Sequence, residues 1–151
     1  MLKLSRFADY SIVLLTQMAS RPPLLMQAPE LALLTGLSVP TVAKTMKSLA
    51  QAGLVQSRRG TKGGYALSRD PSNIPVTEII AAVDGPIALT ECTVDAGFDC
   101  EIEALCPTRT NWRKINEAVI AALDGISLAD MAPQKAPRIS YKFQIKEFVE
   151  N

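Results

Sequence analysis

Three cysteines, Cys92, Cys100 and Cys106, fall within fifteen residues of a chain that has no other, in a C-x7-C-x5-C spacing. Thiolates are soft ligands and good nucleophiles, so three on one segment point to metal binding or to thiol redox chemistry. The gaps are too long for the C-x2-C to C-x4-C knuckles of structural zinc, whereas three thiolates on a loop can hold the iron of an iron–sulfur cluster. Cys106 precedes Pro107 at the expected start of a helix, where the partial positive charge of the helix end favours thiolate over thiol. A cluster normally takes four ligands, and in a chain with no histidine the natural fourth is an oxygen. Asp95, Asp99, Glu101 and Glu103 lie among the cysteines, and Asp9 lies in the first helix. The same thiols without metal form a redox switch, which is the alternative reading.

The lack of histidine also removes the usual general base and every Ser-His or Cys-His catalytic pair. There is no C-x-x-C pair for an oxidoreductase. A non-enzyme with no small-molecule substrate is the expectation.

A second constellation lies in the charges. The net charge is only +1, but between Leu31 and Arg69 stand six basic residues (Lys44, Lys47, Arg58, Arg59, Lys62, Arg69) and no acid. From Asp70 to Thr108 there are eight acids and no base. A basic stretch suits a polyanion, and the acidic cysteine segment is kept away from phosphate.

The elements that must position these groups follow from spacing and caps. Ser5 can cap a helix to about Ala19, with Phe7, Ser11, Leu14, Leu15 and Met18 on one inward face. Arg21-Pro22-Pro23 ends it and an extended link follows. Pro29 suits the first turn of a second helix that Gly36 terminates, and Ser38 caps a third running to about Ala52 with Val42, Met46, Leu49 and Ala50 inward. Two short helices joined by Gly36-Leu37-Ser38 fit a helix-turn-helix, with small Ala32 at the crossing. Residues 54–58 and 65–68 alternate as strands around the glycine-rich Arg59-Gly60-Thr61-Lys62-Gly63-Gly64, which predicts a basic wing. The reading is a mainly α fold with a small β-wing, a winged helix-turn-helix.

A helix entering the major groove offers its first side chains to base edges. Here Ser38, Pro40, Thr41, Lys44 and Thr45 stand at that end, with Lys47 placed for the DNA backbone. Arg58 or Arg59 suits a narrow minor groove, with Thr61 and Lys62 on phosphate. Double-stranded operator DNA is therefore the expected partner; a salt-insensitive protein-interaction scaffold is the competing use of the same helical pair. Further on, Val76 to Val83 reads as a short helix, and Pro107 opens another to about Asp124 in which Trp112, Ile115, Val119, Ala122 and Ile126 step by three and four. The division is 1–86 for the DNA-binding unit, 87–106 for the cysteine loop, 107–131 for the long helix and 132–151 for a mobile tail. No signal-peptide pattern or long apolar run is present, which suggests a cytoplasmic protein with no membrane partner.

With these features assembled, the chain resembles the IscR/NsrR family of iron–sulfur-sensing transcription regulators. The resemblance rests on Leu4 to Tyr10, Gly53-Leu54-Val55, the wing Arg59 to Tyr65 and Ile80-Ala81-Ala82-Val83-Asp84-Gly85, and covers about residues 1 to 130. Within the family the chain is most similar to regulators of the SUF cluster-assembly operon. The resemblance implies a homodimer built on the Pro107 to Asp124 helix, the long C-terminal dimerisation helix. It further implies a [2Fe-2S] or [4Fe-4S] cluster on Cys92, Cys100 and Cys106 that controls DNA affinity, and Asp9 falls where some relatives supply a ligand from the partner subunit. Two departures stand out: seven residues, not five, separate Cys92 from Cys100, and the position three after Cys106, histidine in some members, is Arg109, which cannot ligate iron.

Overall fold

A computed structural model describes residues 3–21, 25–93 and 105–132. The described chain is mainly helical: α1 (Arg6–Ala19), α2 (Ala28–Thr35), α3 (Val39–Gln51), a hairpin of β1 (Val55–Arg58) and β2 (Gly64–Leu67), then α4 (Val76–Asp84), α5 (Arg109–Asp124) and α6 (Leu128–Met131). The expected mobile tail lies, from residue 133 on, outside the described residues.

Ser5 caps α1 by accepting a hydrogen bond from the Ala8 N–H at 3.1 Å. Its hydroxyl also donates to Asp84 at the end of α4, at 2.5 Å, which ties the two helices together at that end. Leu14, Leu15 and Met18 enter the core as their spacing predicts, beside Leu31, Val42, Met46, Leu49, Leu54, Ile79 and Leu128. Phe7 departs from the expected inward stripe: it is 37% exposed. It is the second residue of α1, at the end of the stripe, and the stripe is buried from Ser11 on, whose hydroxyl donates to the Phe7 carbonyl at 2.7 Å.

Gly36 ends α2 with φ +73°, a left-handed conformation that costs glycine nothing. The chain then restarts at Ser38, so α2 and α3 form the expected helical pair, with Ala32 buried. The antiparallel hairpin pairs Val55 with Leu67 and Arg58 with Gly64. A third segment joins it that the sequence reads only as a link: Met26 exchanges two backbone hydrogen bonds with Tyr65, at 2.9 and 2.8 Å. The wing is thus anchored on both sides of β2.

The 107–131 unit assigned to the long helix divides: the helix itself, expected from Pro107 to about Asp124, is α5. It closes at Asp124, and Gly125 turns the chain back so that Ser127 pairs with Pro75: the Val76 N–H donates to Ile126, and the Leu128 N–H to Ile74. Leu128 is fully buried, so α6 belongs to the core of the DNA-reading unit and not to the long helix. A capping box formed by Ser127 and Asp130 starts α6, and the Ser127 hydroxyl and N–H hold the Asp130 carboxyl below its usual range. No helix among the described residues is long and apolar enough to cross a membrane.

Candidate nucleic-acid interface and cysteine segment

Helix α3 buries Val42, Thr45, Met46 and Leu49, which fixes what its other face presents. Pro40, Lys44 and Lys47 are exposed on that face and Thr41 is half-buried. Gln51, one further step of four, is exposed on the same face; the spacing of Lys44 and Lys47 predicts it, but its neutral side chain gave no charge signal. Thr45 departs from the expected DNA-facing set. It is fully buried and its hydroxyl donates to the Thr41 carbonyl at 2.9 Å, because position 45 falls on the same side of the helix as Val42 and Leu49. Ser38 caps the helix, accepting from the Thr41 N–H at 3.3 Å and hydrogen-bonding the Thr41 hydroxyl at 2.7 Å. Replacing Ser38 with alanine therefore costs roughly 1 kcal/mol of folding stability; a urea midpoint equal to that of the native chain would remove the cap from the account.

Arg58, Arg59, Thr61 and Lys62 are all exposed on the hairpin. Arg69, counted among the basic residues of the stretch, is instead ion-paired with Glu78 across the start of α4. The wing is held at its tip as well as its base: the Gln27 side chain donates to the Thr61 carbonyl at 3.1 Å. Gln27, Ala28, Ser57, Arg58, Arg59, Thr61 and Tyr65 line one concavity at the wing, and Ala43, Lys47, Gln51, Ser57 and Tyr65 line a second between α3 and the hairpin. The two concavities share Ser57 and Tyr65, take Lys47, Arg58 and Arg59 into their walls, and have no acid among their lining residues. Sequence reasoning missed Gln27, Ser57 and Tyr65, which are uncharged and lie outside the glycine-rich tip.

Cys92 sits in a short 3-10 turn, Glu91–Thr93, and Cys106 just before α5; both are half-buried free thiols. Cys100, Asp95, Asp99, Glu101 and Glu103 lie outside the described residues. The Thr90 hydroxyl stands 3.2 Å from the Cys92 sulfur, and the Thr108 hydroxyl 3.4 Å from that of Cys106. Hydrogen bonds from the Thr108 side chain and backbone, against a smaller opposing effect of burial, hold the Cys106 thiol below the ordinary cysteine range. Helix α5 positions both ends of the segment. Its N-cap, Thr108, stands two residues after Cys106, and its buried Asn116 accepts from the Leu89 N–H at 3.0 Å and donates to the Ile87 carbonyl at 3.3 Å, shortly before Cys92. Two soft thiols anchored to one helix, neither in a disulfide, form a donor set suited to iron–sulfur chemistry. Asp9 stands exposed in the first turn of α1, and among the described residues no three His, Cys, Asp or Glu side chains of one chain converge on a metal position.

On α5, Trp112 is 39% and Ile115 47% exposed, Ala122 is exposed and Val119 half-buried. Ile126, 39% exposed, lies beyond the helix. An apolar stripe of this kind on a helix that otherwise carries Arg113, Lys114 and Glu117 outward is unusual for a surface.

A family model described as Rrf2, iron-dependent transcriptional regulator, matches residues 4–134. The HTH-type transcriptional regulator IscR of Aliivibrio salmonicida is 34% identical over 117 residues, which are 77% of this chain and 68% of that protein. The chain spans little more than half the length of other IscR relatives, 54% of the one from Vibrio atlanticus and 58% of the one from Klebsiella pneumoniae. Among solved structures, CymR, described as the global cysteine regulator of B. subtilis, superposes with a TM-score of 0.69 at 28% identity over 90% of this chain and 100% of that one. The IscR of T. potens superposes with a TM-score of 0.63 at 31% identity over 86% and 85% of the two chains.

Proposed function

The chain belongs to the Rrf2 family of transcriptional regulators and is an IscR/NsrR-like, DNA-binding member and not an enzyme; from this we propose that it binds operator DNA as a homodimer whose affinity is set by an iron–sulfur cluster on Cys92, Cys100 and Cys106. The reading helix presents Ser38, Pro40, Thr41, Lys44 and Lys47 to the major groove, and the wing presents Arg58, Arg59, Thr61 and Lys62 to the minor groove and its phosphates. The exposed α5 stripe, Trp112, Ile115, Val119 and Ala122, pairs with its copy in the partner subunit, and the regulated genes are those of cluster assembly in the cytoplasm.

The observation that carries the cluster reading is the pair of half-buried, unpaired thiols held at the two ends of one segment by α5. A cluster supplies a charge and redox state that differ between loaded and empty protein. The chain's own part is to fix Cys92 through the Asn116 clamp and Cys106 through the start of α5, with Asp9 of the first helix as the oxygen donor across the dimer. Loading would bear on α5 through the Asn116 clamp and the Thr108 cap, and the relative stability of the two states would set DNA affinity.

Anaerobic purification tests this directly. A coloured dimer containing iron and acid-labile sulfide, whose affinity for a selected duplex changes when a chelator strips the iron, is the expected result. A colourless protein free of iron and sulfide transfers the regulation to the metal-free thiol-redox reading. The lowered Cys106 thiol and the likeness to CymR favour that second reading.

A further inference from the structure

The Phe7 side chain, expected in the core, instead lies beneath the reading helix: the Lys44 ammonium sits over its ring, 4.6 Å from the centroid. Lysine is a flexible stem with a strongly hydrated charge, and fixing it against a target loses rotamer freedom. A ring face within about 6 Å attracts the ammonium and holds it in place. Both groups are solvent-facing, so the ammonium keeps an open side from which to donate to a phosphate or base oxygen.

We propose that Phe7 is a positioning residue for DNA reading, pre-organising Lys44 on the groove-facing side of α3. This deepens the operator reading above and rests on it, since Lys44 must first touch DNA. Phe7 itself is placed by α1, whose cap ties Ser5 to Ala8 and to Asp84 of α4, so the backbone that carries the ring is held at the start of the helix. A cation over an aromatic face is an interaction that leucine, of similar bulk, cannot make.

The test uses a duplex selected by the native chain from a random-sequence library, titrated by fluorescence anisotropy over a range of salt. Phe7→Leu is expected to weaken binding about threefold with an unchanged thermal midpoint, while Phe7→Tyr and Phe7→Trp, which keep a ring face, bind as the native chain does. In a Lys44→Gln background Phe7→Leu is expected to add no further loss. An equal loss in that background would reduce Phe7 to an ordinary packing residue and overturn the proposal. So would tighter binding by Phe7→Leu, which would mean that the ring withholds the ammonium. If Phe7→Leu lowers the thermal midpoint, the comparison rests on Phe7→Tyr and Phe7→Trp in the two backgrounds, where loss despite a retained ring overturns it equally. Failure of the native chain to enrich any duplex would instead sink the operator reading itself.

Discussion

Gly63→Ala is expected to abolish a usable wing, weakening binding to a selected duplex at least tenfold and lowering folding stability by roughly 3 kcal/mol. A Cβ built at Gly63 would lie 2.2 Å from the Arg58 carbonyl oxygen, 2.9 Å from the Arg59 carbonyl carbon and 2.9 Å from the Gly60 carbonyl oxygen. All three are backbone atoms, so no side chain can swing aside, and the Gly63 N–H is bound to that same Gly60 carbonyl at 2.9 Å. The hairpin tip must open. With it go the positions of Arg58, Arg59 and Lys62, so the slope of log affinity against log salt should become shallower by about two to three, near one for each phosphate that these cations cease to neutralise. Thr61→Ala, at an exposed neighbour, is the stability control and should hold the unfolding free energy from urea titration within about 0.5 kcal/mol of the native value. A Gly63→Ala protein with native affinity, salt slope and urea midpoint would show that the tip relaxes at no cost and that the wing is not needed for DNA.

Elements with strong local signals were legible in the sequence. Ser5, Gly36 and Ser38 mark caps and turns whose chemistry is contained within a few residues, and the strands around the glycine-rich tip pair within one residue of the expected limits. What stayed hidden depends on partners far along the chain. Met26 carries no strand signal of its own, because a single residue paired with Tyr65 leaves no period to detect. Phe7 and Thr45 were misplaced for opposite reasons: an aromatic residue at the end of an apolar stripe ran past the core, and a hydroxyl on the reading helix turned into it. The end of α5 near Asp124 was legible, but its cause is tertiary. The apolar steps continue through Ile126, but the backbone of residues 126 to 128 is claimed by Ile74 and Val76, which wins over helix propensity. For the candidate sites, charge and cysteine type pointed to the residues, while Gln27, Ser57, Tyr65 and Asn116 were silent because an uncharged polar side chain reads the same whether it is solvated or buried.

Asn116 is where that silence matters most, and Asn116→Leu, which keeps the number of side-chain heavy atoms but removes the amide, is expected to cost roughly 2–4 kcal/mol. Helix α5 exposes most of its length, yet Asn116 is only 5% exposed because its amide closes on the segment running to Cys92. Leucine would leave the Leu89 N–H without its acceptor and the Ile87 carbonyl without its donor, and each orphaned group costs about 1–3 kcal/mol when water cannot reach it. The loss should be local before it is global: once Ile87 to Leu89 lets go of α5, the turn bearing Cys92 loses its anchor, and alkylation of the Cys92 thiol in the iron-free protein should accelerate several-fold. Glu117→Ala, on the adjacent exposed position, should leave the alkylation rate unchanged and folding stability within about 0.5 kcal/mol of the native chain. If Asn116→Leu instead keeps native stability and native Cys92 reactivity, the clamp is not what joins α5 to the cysteine segment, and any signal passing between them must travel through the Cys106 end alone.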